Sequence, residues 1–185
     1  AQECKLGDFL ADCLRSGGKT EFAYMNATGA CGCIEPGVVT RESMIGVAGY
    51  NDELFTGEIT GAQVRELMET VYEPERFGNN GAMLISGFHV SVDHTKPHPH
   101  KVLAVTLPDG TPLEPDRRYS VTVSAYIASG GNGTGAISNQ IHWHPTGARF
   151  YDVIFDYVRS MPKLTLSDYP RFQEIGTPEN NHAPY

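Results

Sequence analysis

Three segments of the chain repeat apolar residues with the spacing of an amphipathic helix. In each of them, apolar side chains recur three or four positions apart, which places them on one face of an α-helix. The segments are residues 6–14, 64–72 and 150–158. The pattern therefore predicts three helices, each with one buried face.

Polar residues mark where these helices begin and end. Thr60 and Gln63 have the spacing of a capping box, in which each side chain binds a backbone N–H of the other residue's turn. Gly17 and Gly18 predict C-cap chemistry at the end of the first helix, and Pro162 predicts the end of the third. The capping box makes the second helix the best defined of the three.

Short runs of apolar or alternating residues predict strands between the helices. The run FAYM at 22–25 indicates a short buried strand, and residues 88–92 alternate apolar with polar residues as a half-buried strand does. A further strand is predicted at 54–59. Residues 102–107 lead into Pro108-Asp109-Gly110-Thr111, which is typical of a hairpin turn.

Residues 119–126 alternate most regularly. Tyr119, Val121 and Val123 predict the buried face of a strand, whereas the opposite face is small and polar until Tyr126. Tyr126 is therefore predicted to be the one large aromatic side chain on that polar face, directly before a glycine-rich loop.

Helices and strands follow one another without regular β-α-β alternation. The chain is therefore predicted to be α+β, a mixed β-sheet packed with about three amphipathic helices. We expect one domain over residues 1–162. Residues 163–185 are predicted to form an extended, proline-containing tail that either packs as a strap or is partly mobile.

Composition restricts the partners of the chain. Its 185 residues carry a formal net charge of −8, and they contain no run of lysine or arginine. A nucleic acid polymer is therefore not an expected partner. No apolar stretch approaches the roughly 20 residues of a membrane-spanning helix, so no membrane span is predicted.

Four cysteines fall within the first 33 residues. Cys31 and Cys33 are too close for a usual disulfide with each other and lack the C-x-x-C spacing of redox and zinc motifs. Cys13 lies on the apolar face of the first predicted helix and is expected to be a buried hydrophobe. A disulfide between this helix and the 31–33 loop stays open, and so does the redox compartment.

The densest glycine cluster lies at residues 129–135, SGGNGTG. Such a loop lets backbone N–H groups approach a ligand closely. It has no P-loop lysine and no β-α-β setting for a dinucleotide fingerprint. A plain turn and a ligand-binding loop are both open interpretations, and the position directly after Tyr126 favours the second.

The sequence lacks the common motifs of catalysis and metal binding. There is no G-x-S-x-G elbow and no H-E-x-x-H motif. His98 and His100, and likewise His142 and His144, are two residues apart, but no convincing third ligand accompanies either pair. We predict no catalytic residue and no metal site in this chain. Metal binding through His142 and His144 is kept as an alternative.

Six segments together resemble the C-terminal domain of the 5′-nucleotidase family, in the same order and at similar separations. That family includes UDP-sugar hydrolases, 2′,3′-cyclic-nucleotide phosphodiesterases and ecto-5′-nucleotidases. The resemblance covers residues 6–135, and residues 149–158 are similar to the closing helix. The segments are LGDFLAD, FAYMN, GYND followed by ITGAQV, LISGF, LPDGTPLEP, and the stretch from Tyr119 to Gly133.

The resemblance implies a substrate-binding domain. In the family, this domain holds the base of a nucleoside or nucleotide between two aromatic rings, and a separate N-terminal metallophosphatase domain carries two divalent metals. Tyr50 and Tyr126 match the two ring positions, although core tyrosines are the alternative interpretation. The expected substrate-binding residues are Asn26, Tyr50, Asp52, Gly81, Tyr126, Gly130, Gly131 and Asn132.

The chain also departs from the family pattern. Cys31 stands where the family has a substrate-binding arginine, and Asn132 replaces an aspartate. The other substrate arginines of the family precede the first helix, and we expect them to lie before Ala1. A thiol cannot replace a bidentate guanidinium. The resemblance thus implies an aromatic clamp with altered nucleotide specificity.

The family's metal signatures, D-x-H, G-N-H-[DE] and G-H-x-H, do not occur in this chain. We therefore expect no cofactor here and no phosphate ester hydrolysis by this chain alone. The expected function is the substrate-specificity domain of a 5′-nucleotidase-type enzyme. The alternative is a freestanding, non-catalytic binding module with a changed ligand. By resemblance alone, the expected location is extracellular, periplasmic or on the cell surface.

Overall fold

The computed structural model describes residues 4–30, 32–34, 36–72, 83–166 and 170–176. These residues form six α-helices and eight strands, so the predicted α+β class is confirmed. The three predicted amphipathic helices are the three longest. The elements are α1 (Lys5–Gly18), β1 (Phe22–Asn26), α2 (Arg41–Val47), β2 (Glu53–Thr60), α3 (Gly61–Val71), β3 (Met83–Ser86), β4 (His89–Asp93), β5 (Val102–Thr106), β6 (Arg118–Ser124), α4 (Ala125–Ala128), α5 (Gly135–Ser138), β7 (His144–Arg149), α6 (Phe150–Arg159) and β8 (Phe172–Ile175).

The strands form two sheets. The larger sheet has the order β3-β1-β6-β2-β7, and the smaller one has the order β5-β4-β8. Within the larger sheet β1 and β6 run parallel, whereas the other neighbours are antiparallel. The two parallel strands place the ends of β1 and β6 at the same end of the sheet.

Hydrophobic side chains cover both faces of the larger sheet. One core cluster joins β1, β2 and β3 with α1, α2 and α6. The other joins β1, β2 and β6 with α3 and the smaller sheet. Burial on both faces explains why all five residues of β1 are buried. The arrangement is layered, with the larger sheet in the middle.

The predicted capping box at the start of α3 is present. The hydroxyl of Thr60 accepts a hydrogen bond from the backbone N–H of Gln63, and the Gln63 side chain accepts one from the N–H of Thr60. The two bonds satisfy N–H groups that would otherwise lack an intrahelical partner.

The glycines at the end of α1 have a different role from the predicted one. Lys19, and not a glycine, adopts the left-handed conformation of the C-cap, with φ 55°. A Cβ on Gly18 would lie 1.8 Å from Oγ1 of Thr122, and one on Gly17 would lie 2.5 Å from Cγ1 of Val153. These glycines therefore allow α1 to pack closely against β6 and α6.

The strand predicted at 119–126 ends two residues early. β6 stops at Ser124, and Tyr126 lies in the first turn of α4, so its predicted place on a strand face is wrong. The hydroxyl of Ser124 accepts a hydrogen bond of 3.4 Å from the N–H of Ile127 and caps the helix. The alternation of apolar and polar residues does not distinguish a serine on the polar face of a strand from a serine at the N-cap of a helix.

The predicted hairpin turn after β5 is tight, but the segment that follows the turn does not form a strand. The N–H of Leu107 donates to the carbonyl of Thr111 at 2.7 Å, and Thr106 forms an isolated bridge with Pro112. The carboxylate of Asp109 accepts a bond from the N–H of Thr111. This bond lowers the pKa of Asp109.

Cys13 is buried, as the sequence predicts, and its side chain is inaccessible to solvent. Cys4, Cys13 and Cys33 form no disulfide with one another, and Cys31 lies outside the described residues. The thiol of Cys4 accepts a bond from the N–H of Gly7 and caps α1.

Part of the predicted tail is a strand. Residues 172–175 form β8, which pairs in parallel with β4. Before it, Arg171 is buried and contacts Asp8 and Asp12 on α1. Among the described helices, none is long and apolar enough for a membrane crossing.

Candidate functional site

The loops that carry the predicted site leave the larger sheet at one end. Leu54 of β2 pairs with Ser124 of β6, so the residues before β2 and after β6 depart together. Asn26, the last residue of β1, pairs with Met83, the first residue of β3. We call this place the Tyr126 end of the sheet.

Tyr126 is held by the glycine-rich loop that follows α4. The backbone N–H of Asn132 donates to the Tyr126 hydroxyl at 3.0 Å. A Cβ on Gly131 would lie 2.5 Å from Cε2 of the ring and 2.5 Å from the Tyr126 carbonyl oxygen. Gly131 thus lies against the ring, and 48% of Tyr126 remains exposed.

The loop itself requires unusual backbone conformations. Gly130 has φ 87°, Asn132 has φ 55° and Gly133 has φ 73°, all in the left-handed region. Glycine adopts this region without penalty, and asparagine tolerates it better than most residues. The hydroxyl of Thr134 donates to the carbonyl of Gly131 at 2.9 Å and closes the turn.

Two asparagines and a methionine meet behind the loop. The side-chain amide of Asn132 donates to Sδ of Met83 at 3.5 Å. Met83 is buried, and its partner across the sheet is Asn26, whose amide donates to the hydroxyl of Thr28 at 2.6 Å. Asn26, Met83 and Asn132 are therefore neighbours.

The segment that follows β1 holds the two residues before Tyr50. The N–H of Gly49 donates to the carbonyl of Gly29 at 2.9 Å, and Ala48 forms a bridge with Ala30. These contacts hold the loop before β2 against the loop after β1. Tyr50 itself is 58% exposed, so it does not belong to the core.

The start of α6 anchors the residues after Tyr50. The carbonyl of Asp52 accepts a hydrogen bond from the N–H of Phe150, and Oδ1 of Asn51 accepts one from the N–H of Tyr151. The guanidinium of Arg149 donates to the Asn51 carbonyl at 3.2 Å. A cation therefore stands beside the residue that follows Tyr50.

Seven of the eight predicted binding residues thus occupy one end of the sheet. The eighth, Gly81, lies outside the described residues. The exposure of both tyrosines contradicts their interpretation as core residues. The seven are Asn26, Tyr50, Asp52, Tyr126, Gly130, Gly131 and Asn132.

Sequence reasoning missed Met83 and Arg149. Met83 begins an apolar run that reads only as core. Arg149 directly precedes the apolar repeat of the third helix, and this repeat indicates a helix but gives no role for the arginine before it. Only the strand register places these two side chains at the Tyr126 end, because both belong to strands that begin or end there.

In the described part of the chain, neither histidine pair lies in a group of potential metal ligands. The rings of His142 and His144 have centroids 4.6 Å apart, and both residues are exposed. Within the described ranges, no group of three or more His, Cys, Asp or Glu residues could hold a metal ion.

Comparisons with known proteins agree with this fold. The profile of the family described as 5′-nucleotidase, C-terminal domain, matches residues 1–139. An apyrase from Tabanus yao is 24% identical over 94% of the chain, and the endonuclease YhcR from Bacillus subtilis is 30% identical over 84%. The crystal structure of a 5′-nucleotidase precursor from Thermus thermophilus superimposes with a TM-score of 0.83, at 23% identity, over 95% of the chain and 36% of that structure.

The chain corresponds to a part of these proteins. It spans 35% of the apyrase and 12% of the endonuclease. The Thermus structure shows the shared fold, whereas the profile covers most of the chain and shows common descent. The chain therefore belongs to the family of 5′-nucleotidase C-terminal domains.

Proposed function

We propose that this domain binds the base of a nucleoside or nucleotide between the rings of Tyr50 and Tyr126. The observation that carries the proposal is the exposure of these two large aromatic residues, 58% and 48%, at the same end of the sheet, with Tyr50 in the loop before β2 and Tyr126 in the first turn of α4. Two exposed rings at one end of a sheet favour stacking on a flat ligand.

Stacking suits a domain of this kind. Each base stacked on an aromatic ring gains about 1–3 kcal/mol, and every base has a π-face. In this proposal Asp52, Asn26 and Asn132 supply the polar contacts to the base edge and the sugar. The backbone of Gly131 lies beside the ring, and neither Gly130 nor Gly131 places a side chain between the loop and the ligand.

Hydrolysis is assigned to another part of the protein. The chain spans about a third or less of the two curated relatives named above. We propose that an N-terminal metallophosphatase domain with two divalent metals cleaves the phosphate ester, as the family resemblance implies. The domain described here, with Tyr50 and Tyr126, then orients the leaving nucleoside. An extracellular, periplasmic or cell-surface location is proposed on the same basis, and fractionation of the expressing cells tests it.

A freestanding binding module with a changed ligand is the second candidate. Cys31 in place of an arginine and Asn132 in place of an aspartate favour it, because both changes remove charged groups from the expected site. Arg149 offers a guanidinium near Tyr50 that the family pattern did not predict. Examination of the gene for an upstream metallophosphatase domain separates the two candidates.

Calorimetric titration with adenosine and uridine tests the clamp. We expect saturable binding that Tyr50→Ala and Tyr126→Ala each weaken at least about tenfold, since each removes one stacked ring. Leu103→Ala is the matched control, because Leu103 is 43% exposed on the smaller sheet. Unchanged affinity in both tyrosine variants, with the protein folded, would refute the clamp.

A further inference from the structure

A groove with a volume of about 620 Å³ lies at the end of the larger sheet opposite to the Tyr126 end. It is bordered by Ser86 at the end of β3, by Glu21 before β1 and by Arg117 before β6. Asp12 and Arg15 of α1 form another wall. Its volume is in the range of small-ligand sites, and none of its lining residues belongs to the Tyr126 end.

A chain of hydrogen bonds forms one wall of the groove. Arg171 donates to Oδ2 of Asp12 at 2.7 Å, and the hydroxyl of Ser86 donates to Oδ1 of Asp12 at 2.6 Å. Nε of Arg15 then donates to Oγ of Ser86 at 2.8 Å. Ser86 is fully buried and Arg171 is 8% exposed. The guanidinium of Arg15 is therefore held in a defined position.

The carboxylates that line the groove already have partners. Both oxygens of Asp12 accept the bonds just described. Oε1 of Glu21 accepts from Arg117 at 2.9 Å, and Oε2 accepts from the N–H and the hydroxyl of Ser120 at 2.9 and 3.1 Å. All four carboxylate oxygens of Asp12 and Glu21 thus accept hydrogen bonds from groups other than Arg15.

Arg15 retains two unused amino groups. Within the described part of the chain, its guanidinium makes one hydrogen bond, through Nε, which leaves Nη1 and Nη2 available. Two parallel N–H donors on one guanidinium match the two oxygens of a carboxylate or a phosphate. Leu107 and Pro108 line the same groove and offer apolar surface.

We propose that this groove binds a small organic oxyanion, a carboxylate or a phosphate monoester, through Nη1 and Nη2 of Arg15. The apolar body of the ligand lies against Leu107 and Pro108. The bond from Ser86 pre-orients the guanidinium, which lowers the ordering cost of binding. This site is independent of the proposed nucleoside clamp.

Benzoate and phenyl phosphate are suitable probes, because each joins an oxyanion to a flat apolar body. At constant ionic strength, NMR follows the Nε–H signal of Arg15 and the amide signals of Ser86 and Gly87. We expect saturable shifts at millimolar probe with at least one of the two anions, and the stronger one identifies the ligand class. Benzylamine has the same body with the opposite charge and is expected to produce none.

Arg15→Gln provides the decisive variant, since it retains a donor for Ser86 but lacks the cationic fork. We expect at least about a tenfold loss of affinity. Arg159→Gln removes an exposed guanidinium on α6 and is the matched control, with unchanged affinity. If Arg15→Gln does not fold, Arg15→Lys keeps the charge without the fork and is expected to show a similar loss.

Two results would overturn the proposal. One is the absence of saturable shifts with both anions. The other is equal affinity of the wild-type protein and the folded Arg15 variant. Neither result bears on the nucleoside clamp, because the two tests use different ligands and residues at opposite ends of the sheet.

Discussion

The backbone N–H of Asn132 donates a hydrogen bond of 3.0 Å to the hydroxyl of Tyr126. The two residues are only six positions apart, yet one lies in a helix and the other in a left-handed loop conformation. The bond couples the orientation of the ring to the shape of the glycine-rich loop. A substitution that changes the loop should therefore shift the ring of Tyr126, and a substitution of Tyr126 should alter the loop.

Tyr126→Phe isolates this bond, because it keeps the ring and removes its acceptor. A net hydrogen bond contributes about 0.5–1.5 kcal/mol, so we expect nucleoside affinity to fall about two- to tenfold. Hydrogen exchange at the Asn132 amide should become faster. An unchanged exchange rate would show that the hydroxyl does not hold the loop, whatever the effect on affinity.

Gly131→Ala tests how closely the loop approaches the ring. The new Cβ would lie 2.5 Å from the Tyr126 carbonyl oxygen, which is backbone and cannot rotate away. We expect the free energy of unfolding to fall by about 1–3 kcal/mol and nucleoside binding to weaken.

Gly46→Ala is the matched control for Gly131→Ala. Gly46 lies within α2, and a Cβ there meets nothing within 4 Å. Alanine in a helix interior is better than glycine by about 1 kcal/mol, so this variant should be neutral or more stable. Urea unfolding of both variants provides the comparison, and equal effects would contradict the crowding at Gly131.

Cys13 should be far less reactive than Cys4. Cys13 is fully buried on α1, and burial, with the charge of Asp12 adding to it, raises its pKa well above the usual range. Iodoacetamide at mildly alkaline pH should modify the exposed Cys4 in the native protein, and Cys13 only in denaturant. Site mapping by mass spectrometry reads the result. Native labelling of Cys13 at the rate of Cys4 would mean that α1 opens locally.

The sequence predicted a helix or its start correctly wherever the residue pattern is typical of only one kind of structure. The apolar spacing of α1, α3 and α6 and the capping box of Thr60 could be read directly from the chain. The prediction failed at Ser124 and at Gly18, where the same residue suits two roles. Ser124 is an N-cap and Gly18 is a packing contact, and only the neighbouring elements decide between such roles.

The candidate site depended on long-range contacts that no local pattern contains. The family resemblance identifies Tyr50 and Tyr126 as the two rings, and the pairing of Leu54 with Ser124 accounts for their common location. Met83 reaches Asn132 across 49 positions of the chain. Contacts of this kind depend on strand order, which apolar periodicity does not specify.

Arg171 connects the C-terminal segment to the core, and Arg171→Met tests that role. Its guanidinium donates to Asp12, to the carbonyl of Asp8 at 3.1 Å and to the carbonyl of Ile85. Methionine fills similar space but leaves two carboxylates on α1 without their cation. Breaking a buried ion pair costs about 3–5 kcal/mol, so we expect a loss of that size in urea unfolding, with faster hydrogen exchange in β8.

Arg159→Met is the control for Arg171→Met, since the pair of Arg159 with Asp156 is exposed and worth at most about 1 kcal/mol. Adding Asp12→Asn to Arg171→Met removes one of the stranded charges and should restore part of the lost stability. The coupling between the two substitutions then measures the pair itself. Additive effects, or a loss no larger than that of Arg159→Met, would show that Arg171 does not hold the segment through its charge.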